Sequence, residues 1–518
     1  MPPSADAAPP SVRGYVYKTL SYRYWGRDYR FYSSRELFSA AQIDRGSQLL
    51  LSSLLPDDRG KGVLKRLLAA ALSCPHACVA VDDWGCGIGP LGVMAQGHLG
   101  QLYAKYLQHT LQHTQPPAAP RSLACALRLF DRDALALEFA RSNWEANRNA
   151  LTGGGESGSG GYFPTLEVRT GIWGEESLRP AAADLPAGDG PHLVLSNIPA
   201  KLGEPVLRRI LPALAATPST YVAIVIVAPL RRFVEEAAER GILELLHRCG
   251  SGDHCVLHYR QGPKWNGSRD TSDRSAFGYP CTLEGDIIED KDPSDPSALP
   301  HPLRLYRRGR AGFVWRGGSL QPYLPEEDTE LRGCHWAFDA AYGLPDFDRP
   351  GHSLQLLLTA LGRKNGGRRA LLWQPGHGHA ACFLVRKWGL RQLDLAGRDR
   401  LALLFAQHNV ENHSGLRHSV STEIYHLPYI EALPQGTDWG LVVLPIDDPG
   451  EGGSDPAVAA WLSALPAGTL LCLLGRRNRL SGPQFLPRLL PSSAWNGPSV
   501  TGISLHSHGW GVQVWRRK

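Results

Sequence analysis

Three polar stations along the chain carry residue types that do chemistry at the ends of strands. The first is "DDWGCGIGPLG", where an acidic residue, Asp83, is followed by Gly85, Gly87 and Gly89 at alternate positions. Glycines at that spacing let backbone bend sharply and approach a ligand closely. The next helix starts there, so its N-terminus also faces the ligand. The second is "CALRLFD", a strand ending on Asp131, whose carboxylate can accept both hydroxyls of a ribose. The third is "VLSNIPAK", Val194 to Lys201, an apolar run stopped by Asn197 and Pro199. Asn and Pro are ordinary turn residues, and read alone they mean no more than a turn.

The elements that must hold these stations alternate. Continuous Val/Ile/Leu runs ("ACVAVDD", "CALRLFD", "HLVLSN", "YVAIVIVAP") are separated by helical periods such as "DALALEFARSNWEANRN" and "GEPVLRRILPALAA". That pattern predicts a mostly parallel sheet covered on both faces. "QLYAKYLQHTLQHTQPPAAPRS" lengthens the gap between the Gly loop and Asp131, and reads as an extended helix plus loop. At 518 residues the chain exceeds one hydrophobic core.

The pattern occurs twice. "DRGSQLLLSSL" (Asp44 to Leu54) is echoed by "DRPGHSLQLLLTAL" (Asp348 to Leu361), and "VDDWGCGIGPLG" by "LWQPGHGHAACF" (Leu372 to Phe383). "DALALEFARSN" is echoed by "DRLALLFAQHN", "HLVLSNIPA" by "GLVVLPIDD", and "VIVAPLRRFV" by "LCLLGRRNRL". Five matches in one order imply two copies of one fold. The expected division is a tail at 1–11, a first copy at 12–262, a linker at 263–301 and a second copy at 302–518. "LRLYRRGRAGFVWRG" (Leu303 to Gly317) reads as a hairpin turning at Gly309. It heads the second copy or closes the first.

The order Asp-x-Gly-Cys-Gly-x-Gly, then Asp, then Asn-x-Pro resembles the class I S-adenosylmethionine methyltransferases. With the lead-in "LFSAAQIDRGSQLLL" (Leu37 to Leu51), it is similar to the methyltransferase small domain group. The best-known members of that group are guanine-N2 methyltransferases of ribosomal RNA (the RsmC type), themselves duplicated with one degenerate copy. The resemblance implies two tandem Rossmann-like α/β domains, each a mostly parallel seven-stranded sheet with helices on both faces. It implies S-adenosyl-L-methionine as cofactor, with Asp83, Gly85, Cys86, Gly87 and Gly89 around its methionine part and Asp131 on the ribose. Ile172 and Trp173 are implied adenine contacts, with core packing as the alternative for Trp173. Asn197 would sit beside the methyl group. Its side-chain oxygen and a following carbonyl would orient a planar NH2, with Pro199 stiffening the turn.

The family pattern is Asn-Pro-Pro-aromatic; here Ile198 and Ala200 replace the first Pro and the aromatic. That removes the usual stacking platform for a flipped base, so either another aromatic supplies it or the substrate differs from the usual guanine. Ile198 and Lys201 are candidate substrate contacts, although an exposed lysine is commonly just solvated. Aligning the repeats puts Asp83 on Gln374, Gly89 on Ala380, Asp131 on Gly397 and Asn197 on Pro445. The second copy is then non-catalytic, and no metal site is expected at His377 and His379.

Charge points the same way. Residues 302–518 hold 24 Lys and Arg against 17 Asp and Glu, while the whole chain holds 55 against 49. Arg307, Arg308, Arg310 and Trp315 in the basic hairpin suit phosphate contact and stacking, or form a wet arginine face. RNA, ribosomal by resemblance, is the expected partner. Ten scattered cysteines without a CxxC pair, no long apolar run and no secretory start suggest a cytoplasmic protein. The rival readings are methylation of a protein glutamine amide and a non-catalytic RNA-binding or ribosome assembly factor.

Overall fold

The structure is a computed structural model. It describes residues 9–38, 40–55, 62–74, 77–113, 122–152, 161–172, 190–215, 220–264, 307–316, 319–323, 334–344, 351–363, 367–414, 420–446, 455–481, 485–501 and 503–518. Trp173 lies outside them, as does most of the linker.

The first copy opens with an antiparallel hairpin, β1 (Lys18–Tyr24) and β2 (Arg27–Ser33), and helix α1 (Arg45–Leu54). Then come β3 (Cys78–Trp84), α2 (Pro90–His113), β4 (Leu123–Asp131), α3 (Ala134–Ala146), β5 (Tyr162–Thr170), β6 (His192–Asn197), β7 (Thr220–Val227), β8 (Leu243–Ser251) and β9 (His254–Gln261). The sheet runs β5-β4-β3-β6-β7-β9-β8, parallel except where β9 meets β7 and β8. Every residue of β3 is buried, as expected of a central parallel strand covered on both faces. Strand order reverses between β3 and β6. In such sheets, ligands bind in the crevice beyond the carboxyl ends of the strands at this switch. Asp83 is the last residue but one of β3, Asp131 ends β4 and Asn197 ends β6, so all three stations lie at the carboxyl ends that border that crevice.

The second copy repeats the plan. It opens with β10 (Arg307–Arg316), β11 (Ser319–Tyr323) and β12 (Cys334–Ala341). After them come α4 (His352–Gly362), β13 (Arg369–Trp373), α5 (His379–Trp388), β14 (Gln392–Gly397), α6 (Arg400–Ser414), β15 (Ser421–His426), β16 (Leu441–Ile446), β17 (Leu470–Arg476), β18 (Trp495–Asn496), β19 (Ser504–Ser507) and β20 (Trp510–Arg517). Its eight-stranded sheet runs β15-β14-β13-β16-β17-β20-β18, with β19 on β20. The molecule is thus two tandem Rossmann-like α/β domains. β10 pairs with β12 and β11. Its hairpin does not turn at Gly309. β10 continues through that position with a bulge between Arg307 and Gly309, and Arg316 pairs Ser319 of β11.

The structure also corrects the register of the repeat. Gly85 N donates to the Phe130 carbonyl, and Gln374 N donates to the Ala396 carbonyl. Gly85, Gly87 and Gly89 have φ of 72°, 54° and 84°; Gln374, Gly376 and Gly378 have 58°, 58° and 88°. Gln374 therefore matches Gly85, Gly89 matches Gly378, and Asp83 matches Leu372. Asp131 on Gly397 and Asn197 on Pro445 stand. The second copy has kept two loop glycines and lost the polar groups. It has also kept a structural clamp. Asn143 bonds both backbone groups of Tyr32 and the Ile88 carbonyl, and Asn409 does the same to Asp339 and the His377 carbonyl.

The copies meet at the ends of β4 and β14. Ala134 N donates to the Arg398 carbonyl and Arg400 N to the Arg132 carbonyl. The Arg132 guanidinium lies 3.3 Å from Asp399, and that of Arg398 3.8 Å from Asp133. These bonds are reciprocal, like those of an isologous interface between subunits. One apolar cluster spans the junction, joining Trp84, Phe130, Ile198 and Leu202 to Ala341, Leu344 and Phe405. Among the described residues no helix is long and apolar enough to cross a membrane.

Candidate active site

The glycine loop is held open by its own backbone. Gly85 N and Cys86 N both donate to the Phe130 carbonyl, folding the loop back over β4. A Cβ on Gly85 or Gly87 would meet no atom within 4 Å, so both glycines border open space. Gly92 is different: a Cβ there would stand 2.7 Å from Leu127, so it seats α2 on the sheet.

Two carboxylates converge on this loop. Asp131 accepts from Gly87 N through Oδ2 and from Asp133 N through Oδ1, each at 2.9 Å. Each oxygen keeps a lone pair for a further donor. Burial pushes this carboxyl up to about 6, against the opposing pull of the Asp133 and Gly87 amides. Asp83 is fully buried and accepts from Gly92 N at 2.9 Å through Oδ2, while its Oδ1 has no partner. Burial, with Asp131 and Asp82 nearby, pushes it up to about 7, and the Gly92 amide opposes the shift. Its neighbour Asp82 points the other way into a buried network with Arg128 (2.6 Å) and His192 (3.0 Å). Burial raises Asp82, but His192 and then Arg128 outweigh it and hold the carboxyl below its ordinary value.

These features fit a cationic ligand carrying hydroxyls, which is what S-adenosylmethionine is. The orphaned Asp83 Oδ1, the spare lone pairs of Asp131 and the open space over Gly85 and Gly87 would hold it. Cys86 contributes backbone only, since its side chain packs into the apolar core. Ile172 is 2% exposed and belongs to the cluster that joins the two copies.

At the tip of β6, Asn197 is half-buried. Its Nδ2 donates to Asp44 Oδ1 at 2.9 Å and to Ser47 Oγ at 3.2 Å. Its Oδ1 has no partner among the described residues. The chain then leaves through Ile198, Pro199 and a 3-10 turn, Ala200–Leu202. Ile198 N donates to the Val225 carbonyl, and the side chain is 2% exposed inside the shared cluster. Ile198 is therefore a core residue and not a substrate contact. Pro199, Ala200 and Lys201 are exposed. Gly203 follows at φ 78°, and a Cβ there would stand 2.4 Å from the Tyr342 ring of the second copy.

The basic strand has less free charge than its composition suggests. Arg307 is tied to Asp339 at 3.0 Å, so it serves the fold. Arg308 is exposed, with its guanidinium 5.9 Å from the Tyr342 ring centre. Arg310 and Trp315 lie on β10, and their side chains fall outside the described residues. Sequence reasoning missed Asp44 and Ser47, although "DRGS" before an apolar run is a helix-start signal. It also missed Tyr342, which no sequence signal marks. Among the described residues no group of three or more His, Cys, Asp or Glu side chains is placed to hold a metal ion.

No protein-family profile matches the chain, and no curated protein does. Solved structures do. The T. thermophilus 16S rRNA N2 G1207 methyltransferase (RsmC), solved in complex with AdoMet and guanosine, is similar over 97% of this chain and 98% of its own, at 14% identity and a TM-score of 0.48. A ribosomal protein L11 methylase from Lactobacillus delbrueckii subsp. bulgaricus covers 33% of this chain and 80% of its own, at 14% identity and a TM-score of 0.26. The 16S rRNA methylase RmtB covers 29% of this chain and 56% of its own, at 11% identity and a TM-score of 0.21.

Proposed function

We propose that this chain is an S-adenosylmethionine-dependent N-methyltransferase acting on an exocyclic amine of RNA, guanine N2 of ribosomal RNA. The observation that carries the reading is Asn197. Its amide is tethered through Nδ2 with Oδ1 left open, on the strand tip next to two carboxylates and an open glycine loop. An acceptor held there binds a planar NH2 and aims its lone pair, which is orientation rather than base catalysis. S-adenosylmethionine, when bound, supplies a methyl group on positively charged sulfur. Transfer to an amine makes an N–C bond, leaves the C–S electron pair on sulfur and releases one proton from nitrogen. Asp83, Asp131 and the open space over Gly85 and Gly87 would hold the cofactor; Pro199 fixes the turn; exposed Lys201 and Arg308 would contact phosphates. The second copy folds over the site loop through Tyr342 and helps dock the RNA.

The exposed Ala200, which offers no ring to a base, favours a second reading, methylation of a protein glutamine amide. Incubating the full chain with labelled S-adenosylmethionine and an unmodified transcript of small-subunit ribosomal RNA, then digesting to nucleosides, separates the two. N2-methylguanosine supports the first reading. Label absent from RNA and present on glutamine peptides supports the second.

A further inference from the structure

We propose that Asp44, assisted by Ser47, is the positioning residue that fixes which atom of the Asn197 amide faces the substrate, and so makes the site select an NH2 donor. The inference rests on the N-methyltransferase reading above. Asp44 precedes α1, and its carboxylate accepts from Ser47 N (3.0 Å) and Ser47 Oγ (2.6 Å) as well as from Asn197. A carboxylate only accepts, so the amide must turn its NH2 toward Asp44, whichever way the two amide atoms are assigned. The flipped amide would press Oδ1 against a carboxylate oxygen. Asp44 thereby commits Oδ1 to the open side.

The second copy shows that the helix does not need Asp44. The equivalent helix α4 starts after Gly351 with no side-chain cap, yet it forms. The buried Leu50, Leu51 and Leu54 of α1 match Leu357, Leu358 and Leu361 of α4, which places Leu354 opposite Ser47. Asp44, Ser47 and Asn197 have thus become Gly351, Leu354 and Pro445 together, where the asparagine has no work. Gly46 leaves room for the contact, since a Cβ would stand 3.1 Å from Asp44 Oδ1 and 3.2 Å from the His254 ring.

The carboxylate also acts electronically. Accepting from Nδ2–H draws amide electron density onto Oδ1. That oxygen faces a nitrogen that becomes positive as its lone pair bonds to the methyl carbon, before it releases a proton to water. A fixed dipole aimed at developing charge favours the transition state over the ground state.

The test uses the full chain. Asp44→Ser keeps a helix cap of equal quality but is too short to reach Asn197. Asp44→Asn keeps one accepting oxygen. With labelled S-adenosylmethionine and the small-subunit RNA transcript, Asp44→Ser is expected to lower kcat about tenfold, less than the roughly 10²-fold of a misplaced reacting group. KM for RNA and cofactor affinity should hold within about twofold, with Asp44→Asn retaining more activity. Equal kcat in wild type and Asp44→Ser, or a loss carried by KM alone, overturns the proposal. A melting cycle tests the pair without turnover. Asn197→Asp sets two carboxylates face to face, which cannot both ionise cheaply. Its melting temperature should drop as pH rises from about 4 to about 8 and recover in Asn197→Asp/Asp44→Asn. Failure to recover overturns the pairing. A wild type that methylates no transcript but shows the melting rescue sinks the RNA reading and leaves the pair intact.

Discussion

Replacing Asp131 with alanine tests the cofactor half of the site. The carboxylate holds two backbone amides, Gly87 N and Asp133 N, each at 2.9 Å, and has one lone pair per oxygen left for ribose hydroxyls. Alanine removes those acceptors and also frees the Gly87 amide, so the loop loses its tie to β4. Losing hydrogen bonds to a charged group costs about 1–3 kcal/mol, or about 5- to 150-fold in Kd. Asparagine is no gentler here, because its NH2 would face one of the two amide donors. Burial raises this carboxyl to about 6. Wild-type affinity should therefore weaken as pH falls through that value, and the part due to this group should vanish in Asp131→Ala. Titration calorimetry of the full chain with S-adenosylmethionine, at pH values on either side of that midpoint, measures both effects. Unchanged affinity in Asp131→Ala would refute the assignment of Asp131 as the ribose acceptor.

Gly203→Ala should lower both melting temperature and methyl transfer. It places a Cβ 2.4 Å from the Tyr342 ring at a φ of 78°, and Tyr342→Ala should relieve the steric part when melts of the single and double variants are compared. His98 is fully buried with neither ring nitrogen bonded, and burial, with Lys105, Arg27 and Lys65 nearby, lowers it to about 4. Its folded value lies below its unfolded one, so the unfolded chain binds the proton more readily and stability is lost as pH falls from about 6.5 toward 4. Between pH 6.5 and pH 5 this amounts to about 2 kcal/mol. Chemical denaturation of His98→Phe should show a flatter acid limb; an identical limb refutes the burial argument.

Much of the fold was legible because β3, β4, β6 and β7 are nearly continuous apolar runs, and buried parallel strands leave that mark whatever they hold. The strand tips were legible too, since Asp83, Asp131 and Asn197 break those runs with polar residues. Contacts between distant segments were not. Nothing at Asp44 says that its carboxylate meets Asn197, because its local duty as a helix cap already accounts for it. Ile198 was misplaced for the opposite reason: the motif around it is chemical, but its side chain faces the core shared by both copies. The two-residue slip between "DDWGCGIG" and "LWQPGHGH" arose because glycine identity is weaker evidence than backbone φ. The torsions and the matching bonds to the Phe130 and Ala396 carbonyls show that Gln374 occupies the place of Gly85. Arg132 and Arg398 are paired with Asp399 and Asp133 across the junction, a relation that depends on how two domains meet.

The proposed acceptor that orients the substrate amine is Asn197. Asn197→Ala in the full chain removes that acceptor beyond the cofactor groups, at Asp83, Asp131 and the glycine loop. Methyl transfer to the small-subunit RNA transcript and S-adenosylmethionine affinity, measured on the same preparation, give the most direct test. The account predicts cofactor affinity within about twofold of wild type and turnover down by roughly 10²-fold or more. Turnover near wild type would make Asn197 a turn residue and contradict the account.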